Sequence, residues 1–264
     1  MRYAIIYCKD NIAGKNVADR FREMGFNPHV PIIELRKETL YSEITIEKYP
    51  ELRNIDFIFF ASTHRSEKGV PSLCLHTPGN WRSADLGGKE GKICPTYAFV
   101  MKYLFIMLHK FAIEEKVTTK YSISMEATHH GPLIDIPCCF IELGSAENEW
   151  KDATAAGVLA KTVLSIQEYK PEKNWIASLA IGGPHYAPNF NHLQLKSSYA
   201  VSHIVAQYSL PLTENMLKEA EAKTKEQISK VLIDWKGCGK AEERERMITL
   251  IDKMGFSYLK TSDV

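Results

Sequence analysis

The run Asp56-Phe-Ile-Phe-Phe-Ala61 constrains this chain more than any other stretch. Large apolar side chains follow one another without alternation, so neither face of the segment is suited to water. Such a run reads as a central strand covered on both sides, as in parallel sheets. Parallel neighbours need long crossovers, usually helical, and the rest of the chain alternates in that way.

Tyr3 to Tyr7 reads as a buried strand, followed by a helix from about Ala13 to Met24 with Val17, Phe21 and Met24 on one face. Gly25 stops that helix, and Gly255 stops the last one, about Ala241 to Met254. The two endings, Met24-Gly-Phe26 and Met254-Gly-Phe256, are alike, and a C-terminal glycine explains both. Further strands are expected over His29–Leu35, Ser72–His76, Tyr121–Met125, Pro137–Leu143, Trp175–Ile181 and His203–Tyr208, with Ile44–Ile46 as a short edge strand. Helices are expected over 97–113, over Asn148–Glu168, and from Thr213 to about Val231. The fold class is therefore α/β, with a largely parallel mixed central sheet flanked by helices. No linker divides the chain, so 1–264 reads as one domain, with 213–264 a candidate C-terminal helical appendage.

Thirty-three Lys and Arg balance thirty-two Asp and Glu, a net charge of +1. A protein that holds a long nucleic acid carries a basic excess, so any RNA contact here must use a local patch or a small footprint. DNA is not an expected partner. The most apolar helix, Tyr97 to Phe111, carries Lys102, His109 and Lys110 and falls short of the about 20 apolar residues that span a bilayer. No signal peptide is recognisable, and a monomeric cytoplasmic protein without membrane contact is expected. The six cysteines (8, 74, 94, 138, 139 and 238) form no CxxC pair and read as buried free thiols.

Chemistry concentrates in the histidines. His64, His76, the His129-His130 pair and His185 all stand in motifs that follow strand-like runs. Ligands of open α/β sheets bind beyond the carboxyl ends of strands, so these distant positions converge on one site. In Glu126-Ala-Thr-His-His-Gly-Pro132, Gly131-Pro132 forces a turn after two imidazoles. Imidazole carries protons near neutral pH and ligates zinc, and Glu126 is placed to orient a ring or act as a base. The plain alternative is a satisfied histidine in a tight turn. Gly182-Gly183-Pro184-His185-Tyr186 repeats the design, with two glycines able to form an anion-binding nest or simply a turn. Trp81 and Tyr186 are candidates to stack on a nucleotide, and Arg65 and Arg82, with Lys89 and Lys92, to meet phosphate; a half-buried Trp and solvated cations are the alternatives. His29, His109 and His203 read as packing or surface residues. No G-x-S-x-G, P-loop, G-x-G-x-x-G or H-E-x-x-H occurs, which argues against serine hydrolase, nucleotide, dinucleotide and zincin chemistry.

Ala61-Ser-Thr-His-Arg65, His76-Thr-Pro-Gly-Asn-Trp81, Met125 to Pro132, Glu142-Leu-Gly-Ser145 with Glu149-Trp150, and Ile181 to Pro188 occur in this order. Together they resemble the archaeal and plant D-aminoacyl-tRNA deacylase family. The resemblance implies hydrolysis of the ester joining a D-amino acid to the tRNA 3′ end, and zinc dependence. It also implies a fold like those of peptidyl-tRNA hydrolase and nucleoside phosphorylases. On that basis His129, His130 and His185 are expected at the centre as zinc ligands or proton carriers. His64 is a further ligand or orienting partner, and Glu126 a general base or supporting carboxylate. Amides around Gly182 and Gly183 are expected to receive the oxyanion, while Gly131-Pro132 and Gly183-Pro184 wall the substrate's chiral centre; His76, Trp81, Arg65 and Tyr186 complete substrate binding. Two rival readings remain: a zinc-dependent amidase or deacylase of a small acylated metabolite, and a non-catalytic RNA-binding protein.

Overall fold

A computed structural model of the chain describes residues 1–25 and 29–264. Phe26, which closes the first of the two like helix endings, lies outside the described residues. The strands are β1 (Tyr3–Cys8), β2 (Ile32–Leu35), β3 (Phe57–His64), β4 (Ser72–His76), β5 (Gly79–Asn80), β6 (Lys92–Ile93), β7 (Ser122–Met125), β8 (Cys138–Gly144), β9 (Ile176–Gly182), β10 (Tyr199–Val205), β11 (Lys230–Asp234) and β12 (Tyr258–Lys260). The helices are α1 (Ile12–Glu23), α2 (Ala98–Glu114), α3 (Glu147–Trp150), α4 (Ala153–Leu164), α5 (Pro188–Lys196), α6 (Glu214–Lys223) and α7 (Ala241–Lys253).

The six-stranded sheet runs β2-β1-β3-β8-β4-β7, parallel except where β8 meets β4. As the apolar run requires, β3 lies inside it, flanked by β1 and β8, with Phe57, Ile58, Phe59 and Phe60 fully buried. Helices α1, α2 and α4 cover one face, where Phe59, Ala61, Leu75, Ile141 and Met125 share a core with Phe105 and Leu159. Phe60 and Phe140 belong to the other face, where their rings stack at 4.8 Å.

A second sheet, β10-β9-β11-β12, is wholly parallel. Helix α2 touches β4 and β7 of the first sheet and β9 and β10 of the second. A single apolar cluster accordingly holds Tyr3 and Phe59 together with Ala180, Val201 and Leu232.

Several expectations change. A six-stranded and a four-stranded sheet, with the short antiparallel β5-β6 pair, replace the one foreseen. The 213–264 segment is not a helical appendage: its helix ends at Lys223, and β11 and β12 complete the second sheet. Ile44–Ile46 forms no strand, although Ile44 is buried beside Leu52 and Phe60. Asn148–Glu168 divides at Asp152, whose carboxylate caps α4 by accepting from the Thr154 and Ala155 amides. Helix α5 arises where no helix was expected, and β10 begins at Tyr199 rather than His203.

Candidate active site

Strand register places the first half of the site. Ser62 pairs with Glu142, Glu142 with Cys74, and Cys74 with Ser124, so these four side chains form one row across four strands. Side chains two residues apart share a face, which adds His64, His76 and Phe140 to the same surface. His76 lies nearly flat on the Phe140 ring, 5.1 Å between centroids. The intervening Leu73, Leu75, Ile141 and Leu143 belong to the helix-covered core.

The second half comes from two loops. The 126–131 loop leaves β7 and is pinned on both sides: the Gly79 amide donates to the carbonyls of His129 and His130, and the Thr128 amide to that of Ile204. The loop leaving β9 joins it where the Ala127 amide donates to the His185 carbonyl at 2.8 Å. His130 sits at φ +46, a conformation disfavoured for a side chain of this size and held here by those bonds.

Five histidines and two glutamates thereby meet. Glu126 and His76 are wholly buried, and Glu142, His64 and His130 nearly so. His64 Nδ1 stands 3.1 Å from Glu126 Oε1 and 3.5 Å from Glu142 Oε2. His76, His129 and His185 Nε2 are 3.9 Å from Glu126 oxygens; His76 and His130 Nε2 are 3.8 and 3.9 Å from Glu142 Oε1. These separations exceed a hydrogen bond yet leave room for a shared atom between the groups. Neither oxygen of Glu126 nor either ring nitrogen of His76 makes a hydrogen bond. Buried polar atoms without partners are costly, and several of them facing one another are the mark of a catalytic or ion-binding centre.

The tautomers of two rings follow from their partners. His129 Nδ1 contacts the Ala127 carbonyl at 2.7 Å, and His130 Nδ1 the Gly131 carbonyl at 2.5 Å. A carbonyl only accepts, so both Nδ1 atoms carry hydrogen and both Nε2 lone pairs face the carboxylates. His64 Nε2 meets the Tyr186 hydroxyl at 3.1 Å, and His185 Nδ1 the Tyr208 hydroxyl at 2.9 Å.

Burial, reinforced by the neighbouring imidazoles, holds His129 well below the ordinary histidine range and brings His130 to about 3 and His185 to about 4. For His64, burial opposes the charge, but the hydrogen bond to Glu142 and the field of both carboxylates outweigh it and raise the pKa. The carboxylates are driven apart: burial raises Glu126, while for Glu142 the neighbouring His64, His76 and His130 imidazoles overcome burial and lower it. Paired groups pushed in opposite directions characterise acid–base sites.

The donor set fits a divalent metal such as zinc. Three ligand atoms lie within 4.8 Å of one another in each of several groups, among them His76-His129-His130 and Glu126-His129-His185. Nδ1–H held by a carbonyl while Nε2 points inward is the usual arrangement of a ligating histidine. No such group unites His64 with His129, His130 and His185. His64, expected as a further ligand or an orienting partner, has its nitrogens engaged by carboxylates and a tyrosine, which suits the second role, although its ring also groups with Cys74 and Glu126. His76, expected to touch substrate, lies inside the cluster instead.

Other expectations shift too. Trp81 is buried, its indole N–H donating to the Ile204 carbonyl at 3.0 Å, so it walls the site rather than offering an open stacking face. Arg65 is exposed over the Trp150 ring. Arg82 donates to the carbonyls of Ser209 and Pro211, and Lys92 pairs with Glu219. A Cβ on Gly131 would come within 2.2 Å of the Leu40 carbonyl oxygen, and Pro132 follows in the cis form. Gly182 and Gly183 have positive φ and pack against Cys238 and Asp234, which accounts for the pair as a tight turn. Pro184 is exposed, and its carbonyl accepts from the Ala187 amide. Sequence reasoning left Glu142, Cys74 and Tyr208 without a role; the Glu-Leu-Gly-Ser motif was the available signal for the first. His203 is fully buried as expected.

A cleft of about 350 Å³ opens onto His129 and His130, with Trp81, Arg82 and Tyr208 on its walls. Among the described residues no helix is long and apolar enough to cross a membrane.

A family model for D-aminoacyl-tRNA deacylase matches residues 51–259. D-aminoacyl-tRNA deacylase of Pyrococcus furiosus is 33% identical over 221 residues, 83% of this chain and 78% of that protein. The enzyme of the same description from Methanocaldococcus jannaschii is 30% identical over 266 residues, covering 98% of this chain and 99% of its own. A crystal structure described as a conserved protein of unknown function superposes with a TM-score of 0.89 at 27% identity, covering 99% of this chain and 96% of that one.

Proposed function

The chain belongs to the D-aminoacyl-tRNA deacylase family, and we propose that the cluster between its two sheets is where the ester of D-aminoacyl-tRNA is hydrolysed. The products are the free D-amino acid and tRNA. The observation that carries the assignment is the buried Glu126, ringed by His64, His76, His129 and His185.

An aminoacyl ester is already activated, so the protein must place a water, take its proton and receive charge on the carbonyl oxygen. The Nε2 atoms of His129 and His130 face the inner end of the cleft, where the water is placed. Glu126 takes its proton, and burial, by raising its pKa, makes it a stronger base than an ordinary carboxylate. Glu142 stays ionised and fixes His64 and His76. Protonated His64 lies between the carboxylates and Tyr186, positioned to return a proton as the tRNA 3′ oxygen leaves. His76, His129 and His130, with Glu126 and His185 as the overlapping set, would hold zinc. Zinc there would polarise the ester carbonyl and acidify bound water. Gly182 and Gly183 pack against Asp234, Gly237 and Cys238 rather than against the cluster, so the oxyanion is not assigned to their amides.

The reading places the protein in the cytoplasm, acting on the acceptor 3′ end as a monomer, since one chain supplies the whole cluster. It also favours the peptidyl-tRNA hydrolase- and nucleoside phosphorylase-like arrangement, supported by the delivery of His64 and His185 from the carboxyl ends of parallel strands. The test is hydrolysis of matched D- and L-tyrosyl-tRNA, with and without chelator. Selective loss of the D-ester is expected, and failure to cleave either above the spontaneous rate overturns the reading.

A further inference from the structure

A cavity stands apart from the cluster. It encloses about 630 Å³ between the 207–212 turn after β10 and the segment that leads from β11 into α7. Its walls combine apolar Leu210, Leu212 and Met247 with the cations Lys236 and Arg246. Both cations are exposed at the rim, while Met247 is buried. A cavity of this size suits a drug-sized or nucleotide-sized ligand.

Its position relative to the cluster gives it meaning. Gln207 lines this cavity, and the next residue, Tyr208, lines the His129–His130 cleft and touches His185. The Gln207 amide donates to the Gly183 carbonyl at 2.9 Å, so the turn between the cavities is tied to the loop that carries His185. Arg82 stiffens the same turn by donating to the carbonyls of Ser209 and Pro211. The two spaces thus lie on either side of one braced ridge.

We propose that this second cavity is a subsite for the single-stranded nucleotides preceding the terminal adenosine, an inference that rests on the function proposed above. A tRNA whose final ester lies in the cleft must send its preceding nucleotides somewhere adjacent. Leu210 and Leu212 offer apolar surface to a base, with Met247 behind them, and Lys236 and Arg246 offer charge to phosphate. Acidic groups are present too: Glu243 lines the cavity but accepts from the Lys240 amide, and Glu242 holds Arg246 at 2.6 Å. The latter pair is exposed on both sides, and such a pair is weak enough to yield to phosphate. A chain of net charge +1 must gain RNA affinity from local contacts of this kind.

The experiment compares D-tyrosyl-tRNA with 3′-O-D-tyrosyl-adenosine, which has the ester and terminal nucleoside but nothing upstream. Lys236→Ala with Arg246→Ala should raise KM for the tRNA about tenfold and leave cleavage of the adenosine ester as in wild type. The dependence of log KM on log salt should flatten by about 0.7 per phosphate contact removed. Unchanged KM on tRNA overturns the subsite. Equal losses on both substrates also overturn it, by showing an effect on the cluster rather than on upstream nucleotides. Wild-type protein that cleaves neither substrate overturns the underlying function, a result distinct from both.

Discussion

At the residue scale, Glu126 combines features that serve catalysis at the expense of stability. It is buried, lacks a hydrogen bond and shares the cluster with a second carboxylate. Glu126→Gln keeps the shape and removes the base, so kcat for D-tyrosyl-tRNA should fall by about 10²–10⁴, the usual value of general base catalysis. The melting temperature should stay level or rise, because a desolvated carboxyl has been replaced by a neutral amide. A variant with full activity would remove Glu126 from the chemistry. Metal content separates the histidines in the same way. His76→Ala, His129→Ala and His130→Ala should lose zinc that survives dialysis in wild type, whereas His64→Ala should retain it and lose turnover. Zinc retained in the first three and lost in the last would reverse the assignment. The histidines themselves were legible, since each ends a strand or fills a turn. The distinction between His64 and His76 was not, because it depends on Glu142, which reaches them only through the pairing of β8 with β3 and β4.

Local pattern identified elements well where the local signal and the tertiary role agree. The apolar run of β3, the strand into Met125 and the glycine-stopped α1 belong here. It failed where distant partners decide. Residues 225–231 follow a Lys- and Glu-rich helix without a Pro or Gly, yet β9 offers a parallel edge that draws Lys230–Asp234 into a strand. Two predictions belong at this level. Gly183 has φ +76, and a Cβ there would stand 2.8 Å from Asp234 Oδ2. Gly183→Ala should therefore cost stability, about 1–3 kcal/mol, and its activity loss should track unfolding in a denaturant titration. A fully stable variant that discriminates poorly between D- and L-esters would restore the chiral wall inferred from sequence. In β10, burial holds His203 neutral and lowers its pKa to about 3, against an ordinary value of about 6.5. The unfolded state then binds more protons between these values, so the stabilisation is complete above about pH 6.5 and is lost as pH falls toward 3. Moving from pH 6.5 to 5 should cost about 2 kcal/mol through this residue. Urea midpoints for wild type and His203→Gln at the two pH values would show the smaller drop in the variant if the argument holds.

The whole molecule holds its chemistry at a junction, and this determines what the C-terminal segment does. His64, His76, Glu126 and Glu142 descend from the six-stranded sheet or the loop that leaves it, while His185 arrives from β9 of the other. The sheets are joined by a common apolar cluster and by the bond from the Ala127 amide to the His185 carbonyl. Strand β11 lies between β9 and β12, pairing Ile233 with Ile181 and Asp234 with Gly182, immediately before the His185 loop. An appendage could be removed with the site intact; an interior strand cannot. Deleting 224–264 should strip β9 of one neighbour, expose Leu179, Ile181 and Val205 from their shared core, and release the loop that carries His185. The expected outcome is a broadened unfolding transition, proteolysis within 176–212, and no turnover of D-tyrosyl-tRNA. Cooperative folding with wild-type activity in the shortened chain would mean that β9 and β10 hold the His185 loop without β11 and β12, and would overturn the subsite at Lys236 and Arg246 as well.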